Sequence, residues 1–263
     1  MTTTYLFAPG NNPKLLTKVF DTGTDAVILD LEDAVPPSDK AYARSSIATI
    51  LSRNRAWVRV NAVESDDCRA DLELVAEHAL GIRIPKVERP EDVEWISARA
   101  PGLPLICAIE TARGVLAAHE IAQVPSCTYL AMGGIDLRKD LGAGDGFEPL
   151  IHARSQLVLA ASAAGIDPPI DSVYGQLADL AGLQAEAERS KALGFFGKSA
   201  IHPNQLPIIR DVFMPSADEI QWARDVLDAF EAAGHGATRL ASGEFVDVPV
   251  ARRAERILRQ ATS

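Results

Sequence analysis

Pro104-Leu105-Ile106-Cys107-Ala108-Ile109 is a short apolar run that stops on Glu110, and Tyr129-Leu130-Ala131-Met132-Gly133 repeats the pattern just before Asp136. Each run is too short for a helix and too continuously apolar for a strand with one wet face. Each therefore reads as a strand buried on both sides. Working outward, the same unit recurs. Strand candidates lie at residues 5–8, 26–31, 57–61, 82–85, 104–109, 129–133, 170–173 and 195–201. Helical spacing fills the gaps. Within residues 71–80, Leu72, Val75, Ala76 and Ala79 share a face, and within 182–193 Leu183, Ala187 and Leu193 do so. Strand-then-helix repeated eight times predicts an α/β fold of the TIM-type (β/α)8 barrel. A doubly wound sheet has the same rhythm, because periodicity does not report closure.

Composition agrees with one such unit. The chain has 263 residues, 47% hydrophobic and 24% charged, which suits a single soluble barrel. Acids outnumber bases 36 to 26, for a formal charge of −10. That field repels nucleic acid and anionic membrane, so neither is an expected partner and a small molecule is. Cys68, Cys107 and Cys127 are odd in number and far apart, which implies reduced, buried thiols. No apolar run approaches the ~18 residues needed to cross a bilayer, and the first five residues hold no basic-then-apolar leader. A cytoplasmic enzyme is the expectation.

The last stretch reads differently. Ser216-Ala217-Asp218-Glu219 is a capping-box start to a helix bearing Ile220, Ala223, Leu227 and Phe230 on one side. Gly234-His235-Gly236 ends it, an extended piece follows at 243–248, and Pro249 suits the first turn of a final helix. The organisation expected is a barrel over residues 1–214 and a helical and extended C-terminal tail over 215–263, packed on the barrel or on a neighbouring subunit.

Familiar nucleotide and hydrolase signatures fail. Gly142-Ala143-Gly144-Asp145-Gly146-Phe147 starts like GxGxxG but ends in Phe. Gly197-Lys198-Ser199 lacks the first Walker glycine, since Ala192 holds that place. His119-Glu120 is not HExxH, and no GxSxG occurs. What remains is charge at strand ends, where a barrel builds its active site. Arg59 sits in Trp57-Val58-Arg59-Val60-Asn61, Glu110 ends one apolar run and Asp136 follows another. Two carboxylates from adjacent strand ends could seat a hard divalent cation such as Mg2+, with water and substrate oxygens completing its shell. A helix cap or a salt bridge would explain either acid equally well. Asp30-Leu31-Glu32-Asp33 is open in the same way, between a capped loop and a site.

Taken in order, eight motifs resemble the HpcH/HpaI aldolase/citrate lyase β-subunit family, which includes malyl-CoA and citramalyl-CoA lyases. They are Leu6-Phe7-Ala8-Pro9-Gly10, Asp30-Leu31-Glu32-Asp33-Ala34-Val35 with Lys40 and Arg44 after it, Arg59-Val60-Asn61, and Pro85-Lys86-Val87-Glu88. Ile109-Glu110-Thr111-Ala112-Arg113-Gly114, Gly133-Gly134-Ile135-Asp136-Leu137, Ala200-Ile201-His202-Pro203-Asn204-Gln205 and Gly243-Glu244-Phe245-Val246-Asp247-Val248-Pro249 complete the series. The resemblance implies a (β/α)8 barrel that uses Mg2+ to break or form a carbon–carbon bond beside a carbonyl. It places Glu110 and Asp136 as metal ligands, with Glu110 also at the substrate. It puts Arg59 against the substrate carbonyl or carboxylate as a binding and catalytic residue. Asp247 falls on an acid that reaches an adjacent subunit's site, in a homo-oligomer with shared active sites. As a catalytic acid/base it would exchange a proton with an enolate carbon; as a cap it would simply precede Pro249.

Two departures stand out. Thr3-Thr4 replaces the family's Arg-Ser, so an anion contact there is lost or supplied elsewhere, and Ile135 replaces a usual acid beside Asp136. The expected activity is retro-Claisen cleavage, or the reverse, of a hydroxyacyl-CoA thioester such as citramalyl-CoA or malyl-CoA. A small hydroxy-acid substrate without CoA would mark a class II aldolase for 4-hydroxy-2-oxo acids. Dependence on a carrier-bound citryl thioester would mark a citrate lyase β-like subunit, and retention of metal without turnover a scaffold.

Overall fold

The computed structural model describes residues 2–75 and 77–261. All eight strand expectations are met. They are β1 (Thr4–Pro9), β2 (Ala26–Asp30), β3 (Trp57–Arg59), β4 (Gly81–Ile84), β5 (Leu105–Ile109), β6 (Cys127–Met132), β7 (Ile170–Asp171) and β8 (Gly197–Ala200). Each pairs in parallel with the next, and β1 pairs β8 with Tyr5 opposite Ser199, so the sheet closes. A doubly wound sheet is excluded by that pairing.

Side chains alternate across the barrel wall. One set points inward: Tyr5, Ile28, Trp57, Ile106, Tyr129, Ala131, Ile170 and Phe196 form a plug in which the Tyr129 and Phe196 rings stack at 5.4 Å. The other set, including Leu29, Val58, Ile82, Cys107 and Leu130, packs under the helices. Each such buried aliphatic side chain contributes about 1.5–3 kcal/mol. Both faces are dry, which is why the strands read as continuous apolar runs. At the C-terminal ends the inward position changes character. Ile28 is followed by Asp30, Trp57 by Arg59, Gly81 by Arg83 and Ala108 by Glu110.

The helix expected at 71–80 lies earlier, at Asp66–Val75. The Ser65 hydroxyl accepts from Cys68 N (3.0 Å), and Asp66 and Asp67 complement the first turn, so the start is set by cap chemistry and not by apolar spacing. Ala76 and the Val75 side chain of that expectation lie outside the described residues. The helix expected at 182–193 is present as Leu180–Leu193, with Asp179 as cap. Phe147 pins segment 141–147 by lying between the Arg154 and Arg189 guanidiniums at 4.3 and 4.0 Å. All three cysteines are free and buried.

In the tail, Ser216 and Glu219 form the expected reciprocal cap of helix Ala217–Ala232. The extended piece is shorter than expected: β9 (Thr238–Arg239) pairs antiparallel with β10 (Phe245–Val246), and helix Val248–Ala261 follows. Ala223, Val226, Val246 and Ala254 make a small core of its own, separate from the barrel's. No helix among the described residues is long and apolar enough to cross a membrane.

Candidate active site

A cavity of about 420 Å3 opens at the C-terminal ends of the strands, lined among others by Phe7, Asp30, Arg59, Arg83, Glu110 and Asp136. A larger space of about 820 Å3 lies elsewhere, between the tail and the residues that precede β7 and β8, such as Pro168 and Phe196. The smaller one gathers the strand-end charges, so it is where chemistry can occur.

Its acidic side is Glu110 and Asp136. Glu110 follows β5 and is 3% exposed, and its Oε2 has no hydrogen-bond partner among the described residues. Gly133 allows this placement, because a Cβ there would run into the Glu110 side chain, with Oε1 at 2.7 Å. Gly114 is similarly close-packed, against the Val87 carbonyl. Burial pushes the Glu110 carboxyl up, with Asp136 adding to the rise, against Arg83, Arg59 and Lys86, which pull it down. Asp136 lies in the first turn of helix Gly134–Leu141, whose Gly134 N donates to the Ser172 hydroxyl after β7 at 3.0 Å. Among the described residues no three His, Cys, Asp or Glu side chains converge as a closed metal cage. An unpartnered buried carboxylate oxygen beside a second carboxylate is the open donor set a Mg2+ ion accepts, since it keeps water and substrate oxygens. The pair fits that ion.

The basic side holds two guanidiniums with different surroundings. Arg59 is saturated by carboxylates. Its Nε and Nη2 donate to the two oxygens of Asp30, both at 2.7 Å, and Nη1 lies 2.9 Å from Glu32 and 3.6 Å from Asp33. Lys86 donates to Glu32 from a left-handed backbone (φ 49°) that a non-glycine residue adopts at a cost. Burial and the adjoining Asp33 raise Glu32 to about 7, against the pull of Arg59 and Lys86. The loop carrying these acids is fastened beneath by Lys40, whose Nζ donates to the Leu31 and Glu32 carbonyls and to Asn61 Oδ1 at 2.6–2.7 Å. Asn61 in turn donates to Asp71, which pairs with Arg44.

Arg83 is the opposite case. It is fully buried in the barrel, and burial pushes it down to about 10. The only hydrogen bond of its guanidinium among the described residues is from Nη1 to Ser199 Oγ at 3.3 Å, and Nε has none. The Phe7 ring lies against both guanidiniums, 5.0 Å from Arg59 and 5.1 Å from Arg83.

The structure thus brings Arg59, Glu110 and Asp136 to one cavity and leaves Asp247 out of it. In the single chain Asp247 caps the last helix, accepting from Val250 N at 3.2 Å. Thr3 and Thr4 are at the other end of β1, where they bond Asp25 (2.9–3.0 Å), so this stretch of the chain makes no contact with the cavity. Sequence reasoning passed over Arg83, although a charge inside Gly81-Ile82-Arg83-Ile84 is the same signal that singled out Arg59. Phe7 and Ser172 carried no such signal. Lys198, weighed only as a Walker fragment, is buried on the outer wall and bonded to Asp171.

The family model described as HpcH/HpaI aldolase/citrate lyase matches residues 3–203, and one described as a C-C bond lyase of the TIM-barrel fold matches residues 152–263. A (3S)-malyl-CoA thioesterase of Cereibacter sphaeroides is 42% identical over 235 residues, covering 87% of this chain and 82% of its own. The human mitochondrial citramalyl-CoA lyase is 32% identical, covering 98% and 85%. The crystal structure of CitE from Mycobacterium tuberculosis with magnesium, acetoacetate and coenzyme A superposes with a TM-score of 0.83 at 34% identity, over 99% of this chain and 98% of that one.

Proposed function

The chain belongs to the HpcH/HpaI aldolase/citrate lyase family, and from that premise we propose that it is a Mg2+-dependent carbon–carbon lyase acting on a hydroxyacyl-CoA thioester. The carrying observation is the Glu110 carboxylate, buried at the cavity with one oxygen unpartnered and Asp136 beside it. Glu110 and Asp136 would hold Mg2+, which would supply a Lewis acid that makes the substrate hydroxyl more acidic.

The chain's own groups account for the rest. The hydroxyl gives its proton to water at the cavity mouth, its oxygen becomes a carbonyl, and the carbon–carbon electron pair passes to the thioester as an enolate. Arg59 is fixed by Asp30 and Glu32, so its charge already stands where negative charge develops and needs no reorganisation. Phe7 and the apolar plug beneath exclude bulk water, which strengthens that field. A proton on the enolate carbon completes the acyl-CoA product. We assign its delivery to Asp247 of a neighbouring copy, within a cytoplasmic homo-oligomer. Support comes from the position of Asp247 outside its own chain's cavity and from the tail's separate small core, which suits residues 215–263 to act as an arm.

The test is a mass-spectrometric screen of citramalyl-CoA, malyl-CoA and citryl thioesters, with Mg2+ and with EDTA. Cleavage to an acyl-CoA and a 2-oxo acid, abolished by EDTA and by Glu110→Ala or Asp136→Ala, is the expected result. Retained Mg2+ affinity in both variants would remove the metal assignment. Release of free CoA with an intact hydroxy diacid would instead mark thioester hydrolysis, the reading favoured by the relative at 42% identity. Mixing inactive Arg59→Ala and Asp247→Ala chains tests the shared site: activity returns in mixed oligomers if Asp247 serves a neighbour.

A further inference from the structure

We propose that Arg83, and not Arg59, is the guanidinium that grips the carboxylate of the substrate's oxo-acid half; this rests on the lyase reading above. The two arginines reach the same cavity with opposite donor accounts. Every nitrogen of Arg59 already faces a protein carboxylate: Asp30 on Nε and Nη2, Glu32 and Asp33 on Nη1. Arg83 has no carboxylate within ion-pair distance among the described residues, and its Nε is buried without an acceptor.

A buried guanidinium without a hydrogen-bonded anion is costly, and Arg83 lines the cavity that holds Glu110 and Asp136. Glu110 is the negative group that supports Arg83 most. Once Glu110 serves a cation, that support is drawn away and Arg83 is left as the cation with free donors. A planar carboxylate matches its fork, and such charge-assisted pairs exceed neutral ones in strength. Phe7, against the guanidinium face at 5.1 Å, and Ser199, on Nη1, fix its plane, so the fork is held before the ligand arrives. The ligand class is therefore a short 2-oxo or 2-hydroxy monocarboxylate unit with its carboxylate deep in the barrel. A substrate with an uncharged group at that end is rejected.

The experiment uses full-length protein with saturating Mg2+ and compares pyruvate with its carboxamide by calorimetry. Wild type is expected to favour pyruvate by at least about tenfold, and Arg83→Met to lose that preference. Mg2+ affinity measured without the oxo acid stays within about twofold or tightens, because a competing cation has gone. Arg59→Lys is expected to keep the preference. Equal pyruvate binding by Arg83→Met and wild type overturns the proposal, as does loss of the preference in Arg59→Lys alone. Should Arg83→Met not fold, Arg83→Lys gives the same reading, with a reduced preference expected and an unchanged one overturning it. Because the readout is binding of the oxo acid, it remains legible even if no thioester is cleaved, so failure of the lyase reading and failure of this one are separate results.

Discussion

Two clusters of buried charge sit on opposite sides of the same barrel wall, and they have opposite acidities. On the outer side, Asp171 of β7 receives Lys198 at 2.6 Å, Ser190 at 2.8 Å and Arg154 at 3.1 Å, all fully buried. Burial opposes its ionisation, but Lys198 and Arg154 win and hold it down at about 2. On the inner side, Glu110 is as dry but receives no bond to Oε2, and burial wins, pushing its carboxyl up. The same residue chemistry gives a structural tie when donors saturate it and a reactive site when they do not.

The contrast breaks most visibly at Asp171. Asp171→Ala leaves Lys198 and Arg154 with Glu186 as their one remaining carboxylate, and a loss of about 3–5 kcal/mol is expected in chemical denaturation. A loss under about 1 kcal/mol would mean the outer cluster is not a tie. Glu110→Gln should do the reverse. Mg2+-dependent turnover drops about 10²–10³-fold while the unfolding midpoint holds or rises, since a raised carboxyl has been made neutral. Calorimetry and initial rates on one preparation check both halves.

Acid titration sharpens the same point. Asp171 is depressed from 3.8 to about 2, so its stabilisation is present above pH 3.8 and lost as pH falls through about 2. The expected loss is about 2 kcal/mol, and it is absent from Asp171→Asn. Glu32, raised from 4.5 to about 7, runs the other way: its contribution is full below 4.5 and lost as pH rises through about 7. Stability profiles of Glu32→Gln against wild type read that limb. The smallest effect belongs to Phe7→Leu, which removes the ring shared by Arg59 and Arg83 and should cost about 1 kcal/mol. It should weaken oxo-acid binding more than Mg2+ binding.

Much of the site was legible because strand-end charges interrupt apolar runs. That rule exposes Arg59 and Glu110, and applied evenly it would have exposed Arg83. It does not expose Asp30 as the bidentate partner of Arg59, because the two are 29 residues apart and meet only through the β2–β3 register, Asp30 opposite Arg59. Nor does it separate Lys198, which faces outward to Asp171, from Ser199, which faces inward to Arg83. One residue of strand phase decides between tie and site.

The amino-acid order by itself determined the eight-fold strand–helix rhythm, the capped tail and the identity of the acids at the strand ends, because these follow from local periodicity, capping and solvation. Closure of the sheet, the saturation of Arg59 against the vacancy around Arg83, and the exclusion of Asp247 from its own chain's cavity were decided only in three dimensions. Each depends on which donors and acceptors distant segments bring within hydrogen-bond reach, and the strength of a buried charge is set by that company.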